Sequence, residues 1–222
     1  MYFKEAGMIK RVNLSQQAYR ELVDKIVSGA YPGGTKLTEE GLCREFGISR
    51  TPIREALLKL EAEGMIEPLP KRGVRIKALD ADELRELFGC RRELEALALR
   101  KAAGAIPADE LDELVAGLKK LAARDDAAMN AIVEIDGRMH QLFADYCGNR
   151  YLQTILRQLL RQSAPYRIYR NRGDCAEAAG ERIELLESIR SGDTDRAVRL
   201  LERHIDRGAE DLARAAAETS GA

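Results

Sequence analysis

Ser49-Arg50-Thr51-Pro52-Ile53-Arg54-Glu55-Ala56-Leu57-Leu58-Lys59-Leu60 is the stretch whose reading decides the rest of the chain. Ile53, Ala56, Leu57 and Leu60 recur at i, i+3, i+4 and i+7, which commits one face of a helix to a core. Ser49 and Thr51 offer hydroxyls to the free amides of the first turn, and a proline at position 52 forfeits no hydrogen bond there. Arg50, Thr51 and Arg54 are left at the exposed N-terminal end. A helix presenting its first turns in this way suits the major groove of duplex DNA, where arginine pairs with guanine edges or phosphate oxygens.

The segments on either side fit that reading. Upstream, Ala18, Leu22 and Ile26 lie four apart with Val23 alongside, which predicts a helix over 14–28 that ends at Gly29 and the turn cluster Tyr31-Pro32-Gly33-Gly34. Thr38 is placed to cap a second helix. Its first turn carries Glu39 and Glu40, its inward residues are Leu42 and Phe46, and Gly47 closes it. Downstream of Gly64, residues 65–69 and 74–76 read as two short strands around the tip Pro70-Lys71-Arg72-Gly73. A basic hairpin beside such a helix is a wing, and Lys71 and Arg72 would lie over a phosphate backbone or reach the minor groove.

The 222 residues include 45% hydrophobic and 33% charged side chains, 5% aromatic residues and no tryptophan. This composition favours a mainly helical protein. Cys43, Cys90, Cys147 and Cys175 form no C-x-x-C pair, so free thiols are expected rather than a zinc finger or disulfide framework. The N-terminus has no signal-peptide pattern and no stretch approaches the roughly 18 apolar residues of a membrane span, so the expected location is the cytoplasm. Residues 1–76 hold 13 Lys and Arg against 10 Asp and Glu, and the remainder 23 against 27. A mildly basic front and a mildly acidic back suit a nucleic-acid-binding head on a body with another task.

From Asp80 onward six amphipathic helices follow with short breaks, predicting an all-α antiparallel bundle. Their expected inward residues are Leu84, Leu87, Phe88, Leu94 and Leu97; Leu111, Leu114, Leu118 and Leu121; Leu152, Leu156, Leu159 and Ser163; Ile183, Leu186 and Ile189; and Val198, Leu201 and Ile205, with the third helix spanning roughly 127–146. Both histidines fall on inward stripes. Asp136 and His140 are four residues apart on one face, and His204 is in line with Val198 and Leu201. An Asp and His cluster contributed by several helices is how a bundle builds a metal site, although a single inward histidine is also an ordinary hydrogen-bonded core residue.

The front of the chain resembles the DNA-binding domain of the GntR family of bacterial regulators. The resemblance rests on Gly33-Gly34-Thr35-Lys36-Leu37-Thr38-Glu39-Glu40, on Phe46 through Leu57, on Leu60-Glu61-Ala62-Glu63-Gly64-Met65-Ile66, and on Lys71-Arg72-Gly73. It implies a winged helix-turn-helix of three helices and a two-stranded wing over residues 1–78, with DNA contacts from Arg50, Arg54 and Gly73 and with Thr51 and Lys71 beside them. Many members carry arginine where this chain has Glu40, so one usual contact is in doubt.

The rest resembles the FCD effector domain of the FadR subfamily, through Arg91-Arg92-Glu93-Leu94-Glu95, Asp136-Gly137-Arg138-Met139-His140, Gly148-Asn149, Ile189-Arg190-Ser191-Gly192-Asp193 and His204. It implies an effector-binding and dimerising domain over residues 79–222. In many such domains an aspartate and three histidines bind a divalent metal such as zinc, manganese or nickel, near a small carboxylate effector. Those positions map onto Asp136, His140 and His204, and the remaining one is Arg182.

Arginine stays protonated and cannot ligate a cation. Either Arg182 turns away from a weaker three-ligand metal site, or its charge replaces that of the metal and holds an anionic effector directly; the second is the working expectation. Arg91, Tyr166 and Arg167 are further candidates for effector binding. The whole reads as a homodimeric transcription regulator, a repressor or an activator, that binds a palindromic duplex under the control of a small organic acid. One rival is a metal- or redox-responsive regulator, the latter through Cys90 beside Arg91. The other is a metal-dependent enzyme, which the absence of a nucleophile–base pair disfavours.

Overall fold

The computed structural model describes residues 14–70, 73–123, 128–166 and 175–220. Nine helices and a small sheet run in the order α1 (Leu14–Val27), β1 (Lys36–Leu37), α2 (Glu39–Phe46), α3 (Arg50–Ala62), β2 (Ile66–Pro68), β3 (Val74–Ile76), α4 (Ala81–Ala102), α5 (Ala108–Ala122), α6 (Ala128–Tyr146), α7 (Arg150–Ser163), α8 (Cys175–Arg190) and α9 (Thr194–Ser220) among those residues. The protein is mainly α, with a winged helix-turn-helix in front and a helical bundle behind.

Two hydrophobic cores divide the chain. The first gathers Ala18, Leu22 and Ile26 from α1, Leu42 from α2, Ile53, Ala56, Leu57 and Leu60 from α3, and Val74 and Ile76 from β3. α1 packs along α3, and α2 closes on α3. The local reasons are those of the sequence: the Thr38 side chain accepts from the Gly41 amide, and Gly47 ends α2 in the left-handed region at φ 67°. At Ser49 the backbone takes the N-cap conformation, but the side chain makes no capping hydrogen bond, contrary to expectation.

The sheet is three-stranded, order β1-β3-β2, and not only the two-stranded hairpin expected. β1 pairs antiparallel with β3 through Lys36 opposite Arg75 and Leu37 opposite Val74. β2 pairs with β3 through Glu67 opposite Arg75. A two-residue strand carries no alternation of its own, and its pairing partner lies almost forty residues downstream. Gly73, at φ +115°, makes the crossing possible, because a Cβ there would stand 2.5 Å from the Leu37 carbonyl oxygen.

The second core joins all six bundle helices. α4 lies along α9 and α5 along α8. A capping box opens α4, with the Asp80 side chain accepting from Asp82 and Glu83 amides and Glu83 reaching back to the Asp80 amide. Asn149 caps α7 by accepting from Tyr151 and Leu152. The buried stripe of α4 departs from the expected one. Leu97 is exposed, whereas Arg91 and Glu95 lie inside among Phe88, Ala98 and Leu99.

Candidate functional site

The tip of α3 is where the sequence placed it. Arg50, Thr51 and Arg54 are exposed, and the residues behind them are sealed into the head's core. Arg50 donates through Nη2 to Glu40 Oε1 at 2.9 Å, and Arg54 makes a two-pronged contact with Glu39, Nε to Oε1 at 2.9 Å and Nη2 to Oε2 at 2.8 Å. The hydrogen bond from Arg54 lowers the Glu39 pKa. Both arginines thus rest on carboxylates from the first turn of α2. Exposed pairs of this kind contribute about 0–1 kcal/mol, so phosphate or a guanine edge can displace the acid. On the wing, Arg75 is paired with Glu67 at 2.6 Å. Gly73 belongs to the turn between β2 and β3, where its carbonyl accepts from the Leu69 amide at 3.0 Å, and Lys71 and Arg72 lie outside the described residues.

The second constellation is inside the bundle. Asp136 and His140 come from α6, Arg182 from α8, His204 from α9, and Arg91 and Glu95 from α4; all six are buried. Arg182 Nε lies 2.8 Å from Asp136 Oδ1, and its Nη1 donates to the Ala178 carbonyl at 2.7 Å. His204 Nε2 stands 2.9 Å from the same Asp136 oxygen, and His140 Nε2 is 3.7 Å from Oδ2. The two imidazoles face each other with centroids 5.3 Å apart. His140 Nδ1 is held by Glu95 Oε2, and Glu95 Oε1 accepts from Arg91 Nε at 2.7 Å.

Two guanidiniums and two carboxylates balance one another in a buried setting. Burial works against the Glu95 carboxylate, but Arg91 and then His140 outweigh it and bring its pKa down to about 2. Asp136 is likewise driven well below the carboxylate range, because Arg182, His204 and His140 overcome burial. For His140 burial wins over the attraction of Glu95 and Asp136, so its pKa is lowered. A neutral His140 that donates Nδ1–H to Glu95 keeps Nε2 as an acceptor; that atom is buried without a hydrogen-bond partner. It can accept from a ligand hydroxyl.

Ligand atoms of Asp136, His140 and His204 lie within 4.8 Å of one another, which is a donor set a divalent ion could use. Arg182 decides against a resident metal. Its guanidinium already holds Asp136 Oδ1, and an ion bound there would stand within a few ångströms of a fixed positive charge in a low-dielectric interior. The residues present do not fit the metal unless Arg182 leaves.

Of the other candidates, Arg91 is committed to Glu95 and, through Nη1, to Ser163 Oγ at 3.1 Å. Tyr166 goes elsewhere: its hydroxyl accepts from the Leu79 amide at 2.7 Å and reaches the Lys77 carbonyl at 3.4 Å, on the seam between head and bundle. Arg167 lies outside the described residues. Cys90 is exposed while the adjacent Arg91 is buried and already paired, which removes the cation expected to activate the thiol. Glu95 was the residue missed. Its signal was available: a charged pair four apart on the buried phase of α4, which solvated helix faces do not place there.

Comparison with known proteins bears on the family and the fold. The FCD domain family matches residues 86–207, and the family described as bacterial regulatory proteins, gntR family, matches residues 14–76. The chain is 32% identical over 147 residues to the HTH-type transcriptional regulator YdhC of Bacillus subtilis (strain 168), covering 63% of each chain. It is 31% identical over 130 residues to the HTH-type transcriptional repressor RspR of Escherichia coli (strain K12), covering 58% of this chain and 57% of that one. In both cases the match spans less than two thirds of the relative. The solved structure of E. coli McbR/YncC shares the fold with a TM-score of 0.77 at 22% identity, over 90% of this chain and 97% of that one.

Proposed function

The chain belongs to the gntR family of bacterial regulatory proteins and carries an FCD domain, and from that premise we propose that it is a DNA-binding transcription regulator controlled by a small organic anion. The observation that carries the proposal is the exposed arginine tip of α3, backed by a sealed core and flanked by a wing. Residues 1–78 act as the reading head. Residues 79–222 hold the effector and the dimer contact, and a two-fold dimer would read a palindromic duplex. The expected location is the cytoplasm; among the described residues no helix is long and apolar enough to cross a membrane.

The anion is assigned to the Arg182 end of the buried cluster. A ligand carboxylate that replaces Asp136 on the guanidinium exchanges one charge-assisted contact for another and keeps the buried cation paired, while Asp136 keeps His204 Nε2 at 2.9 Å, where a proton taken up with the ligand would balance the added charge. Arg91 acts behind it through Glu95, while Lys71, Arg72 and Arg167 remain candidates on sequence alone. The compact Asp136, His140 and His204 set favours a second reading, a metal-responsive site bearing zinc, manganese or nickel.

A thermal-shift screen with small carboxylates, sugar acids and amino acids, with and without divalent metal, separates the two. A ligand bound only to the native state stabilises it by about 2.7 kcal/mol at a hundredfold excess over its Kd. Stabilisation by an acid without metal is the expected result. Stabilisation by metal alone, with stoichiometric metal retained through purification, would replace the anion reading with the metal one.

A further inference from the structure

The recognition helix does not end in solvent. Glu63 caps α3 at its C-terminal end. Its carboxylate accepts from the Tyr19 hydroxyl at 2.6 Å and faces Arg161 Nε at 3.1 Å. Its backbone carbonyl accepts from Gln162 Nε2 at 2.7 Å. The next residue, Gly64, has φ +72°, and a Cβ there would stand 2.5 Å from Gln162 Nε2. Glycine therefore lets the amide of Gln162 lie directly against the turn that follows α3.

Arg161 and Gln162 belong to the last turn of α7, and the residue after them points the other way. Ser163 is fully buried and accepts from Arg91 Nη1. Arg91 Nε binds one oxygen of Glu95, and the other oxygen holds His140, which faces Asp136. Three consecutive residues of one helical turn thus grip the end of the reading helix on one side and the buried charge cluster on the other.

We propose that Arg161 and Gln162 are positioning residues for α3, and that Arg91, acting on Ser163, makes their grip depend on the state of the buried cluster. This rests on the reading of that cluster as the effector site. Ser163 donates its hydroxyl proton to the Leu160 carbonyl at 3.1 Å and accepts from Arg91 Nη1 at 3.1 Å, so a ligand that recruits Arg91 or Glu95 removes the contact that ties the last turn of α7 to the cluster and frees that turn to shift. The turn cannot move without disturbing the Gln162 contact with the Glu63 carbonyl, because both side chains spring from adjacent residues of one helix. A ligand that left these contacts alike in both states could shift nothing.

Hydrogen exchange of the full-length protein tests the link without needing the effector. The amides of Glu63, Gly64 and Met65 close the C-terminal turn of α3 by bonding to Lys59, Glu61 and Leu60 carbonyls. Ser163→Ala is expected to raise their exchange about three- to tenfold, the loss of roughly one buried hydrogen bond. In a Gln162→Ala background the same change is expected to do nothing more. Glu95→Gln, which perturbs the cluster from the far side, should show the same dependence on Gln162; Ser163→Ala keeps the test usable if that variant does not fold.

No change on Ser163→Ala, or the same factor in both backgrounds, overturns the proposal. Binding of each variant to a duplex selected from a random pool serves as the second readout. Background-dependent exchange with no duplex bound by any variant would reject the DNA-binding reading while leaving the mechanical link standing.

Discussion

The tip of α3 and the buried cluster of the bundle each set two arginines against two carboxylates, and the two sets behave oppositely. On α3, Arg50 and Arg54 lean on Glu40 and Glu39 with side chains 64% and 60% exposed. In the bundle, Arg182 and Arg91 meet Asp136 and Glu95 with all four side chains almost fully covered. Water screens the first set, so each acid is a placeholder that a phosphate can displace. Nothing screens the second, so each partner can leave only if another of the same charge arrives. The difference suits the proposed division of reading in the head and sensing in the bundle.

The contrast can be broken most severely from the inside. Asp136→Leu leaves Arg182 as an uncompensated buried cation, and the expected loss is about 3–5 kcal/mol in urea unfolding. Adding Arg182→Met should restore part of it; a single variant as stable as the native chain would show that the pair is not a buried one.

Acid comes next. Folded Glu95 holds its pKa near 2 against 4.5 ordinarily, so below pH 4.5 the unfolded chain takes up a proton that the folded chain refuses. The stability it contributes is complete above pH 4.5 and disappears as pH falls towards 2, by about 3 kcal/mol. Asp136 acts in the same direction, and the lowered pKa of His140 starts the decline already below pH 6.5. Denaturant unfolding at pH 7, 5.5, 4 and 3 should therefore show a steady fall, and a flat profile would contradict the burial of these charges.

On the head the effects are on binding rather than folding. Arg50→Ala or Arg54→Ala should each weaken a selected duplex by about 1–3 kcal/mol in anisotropy titrations, with unfolding shifted by no more than about 0.5 kcal/mol. Smallest of all, Glu40→Gln frees Arg50 and should tighten duplex binding by no more than about 1 kcal/mol, with the slope of log K against log salt steeper by about one. A weaker duplex in Glu40→Gln would mean that the acid itself reads a base.

Most of the architecture was legible because it is local. The periodicity of α3, the Thr38 cap and the Gly47 stop each lie within a few residues, and the structure realises them. What escaped depended on distant neighbours. β1 is too short to declare itself before β3 arrives, and Tyr166 follows α7 at a point from which either the cluster or the seam was within reach. Glu95 is the exception: its place on the buried phase of α4, four residues from Arg91, is local, but a charged residue in a helix is ordinarily solvated and only the cations around it make its burial tolerable.

The direct test of the division between reading and sensing is a titration of the native protein with a selected palindromic duplex, repeated at saturation with whichever acid stabilises it. The predicted result is nanomolar to micromolar binding at low salt whose Kd moves about 5- to 150-fold when the acid is present. A Kd that stays the same with the acid bound, or no duplex bound at all, would contradict it.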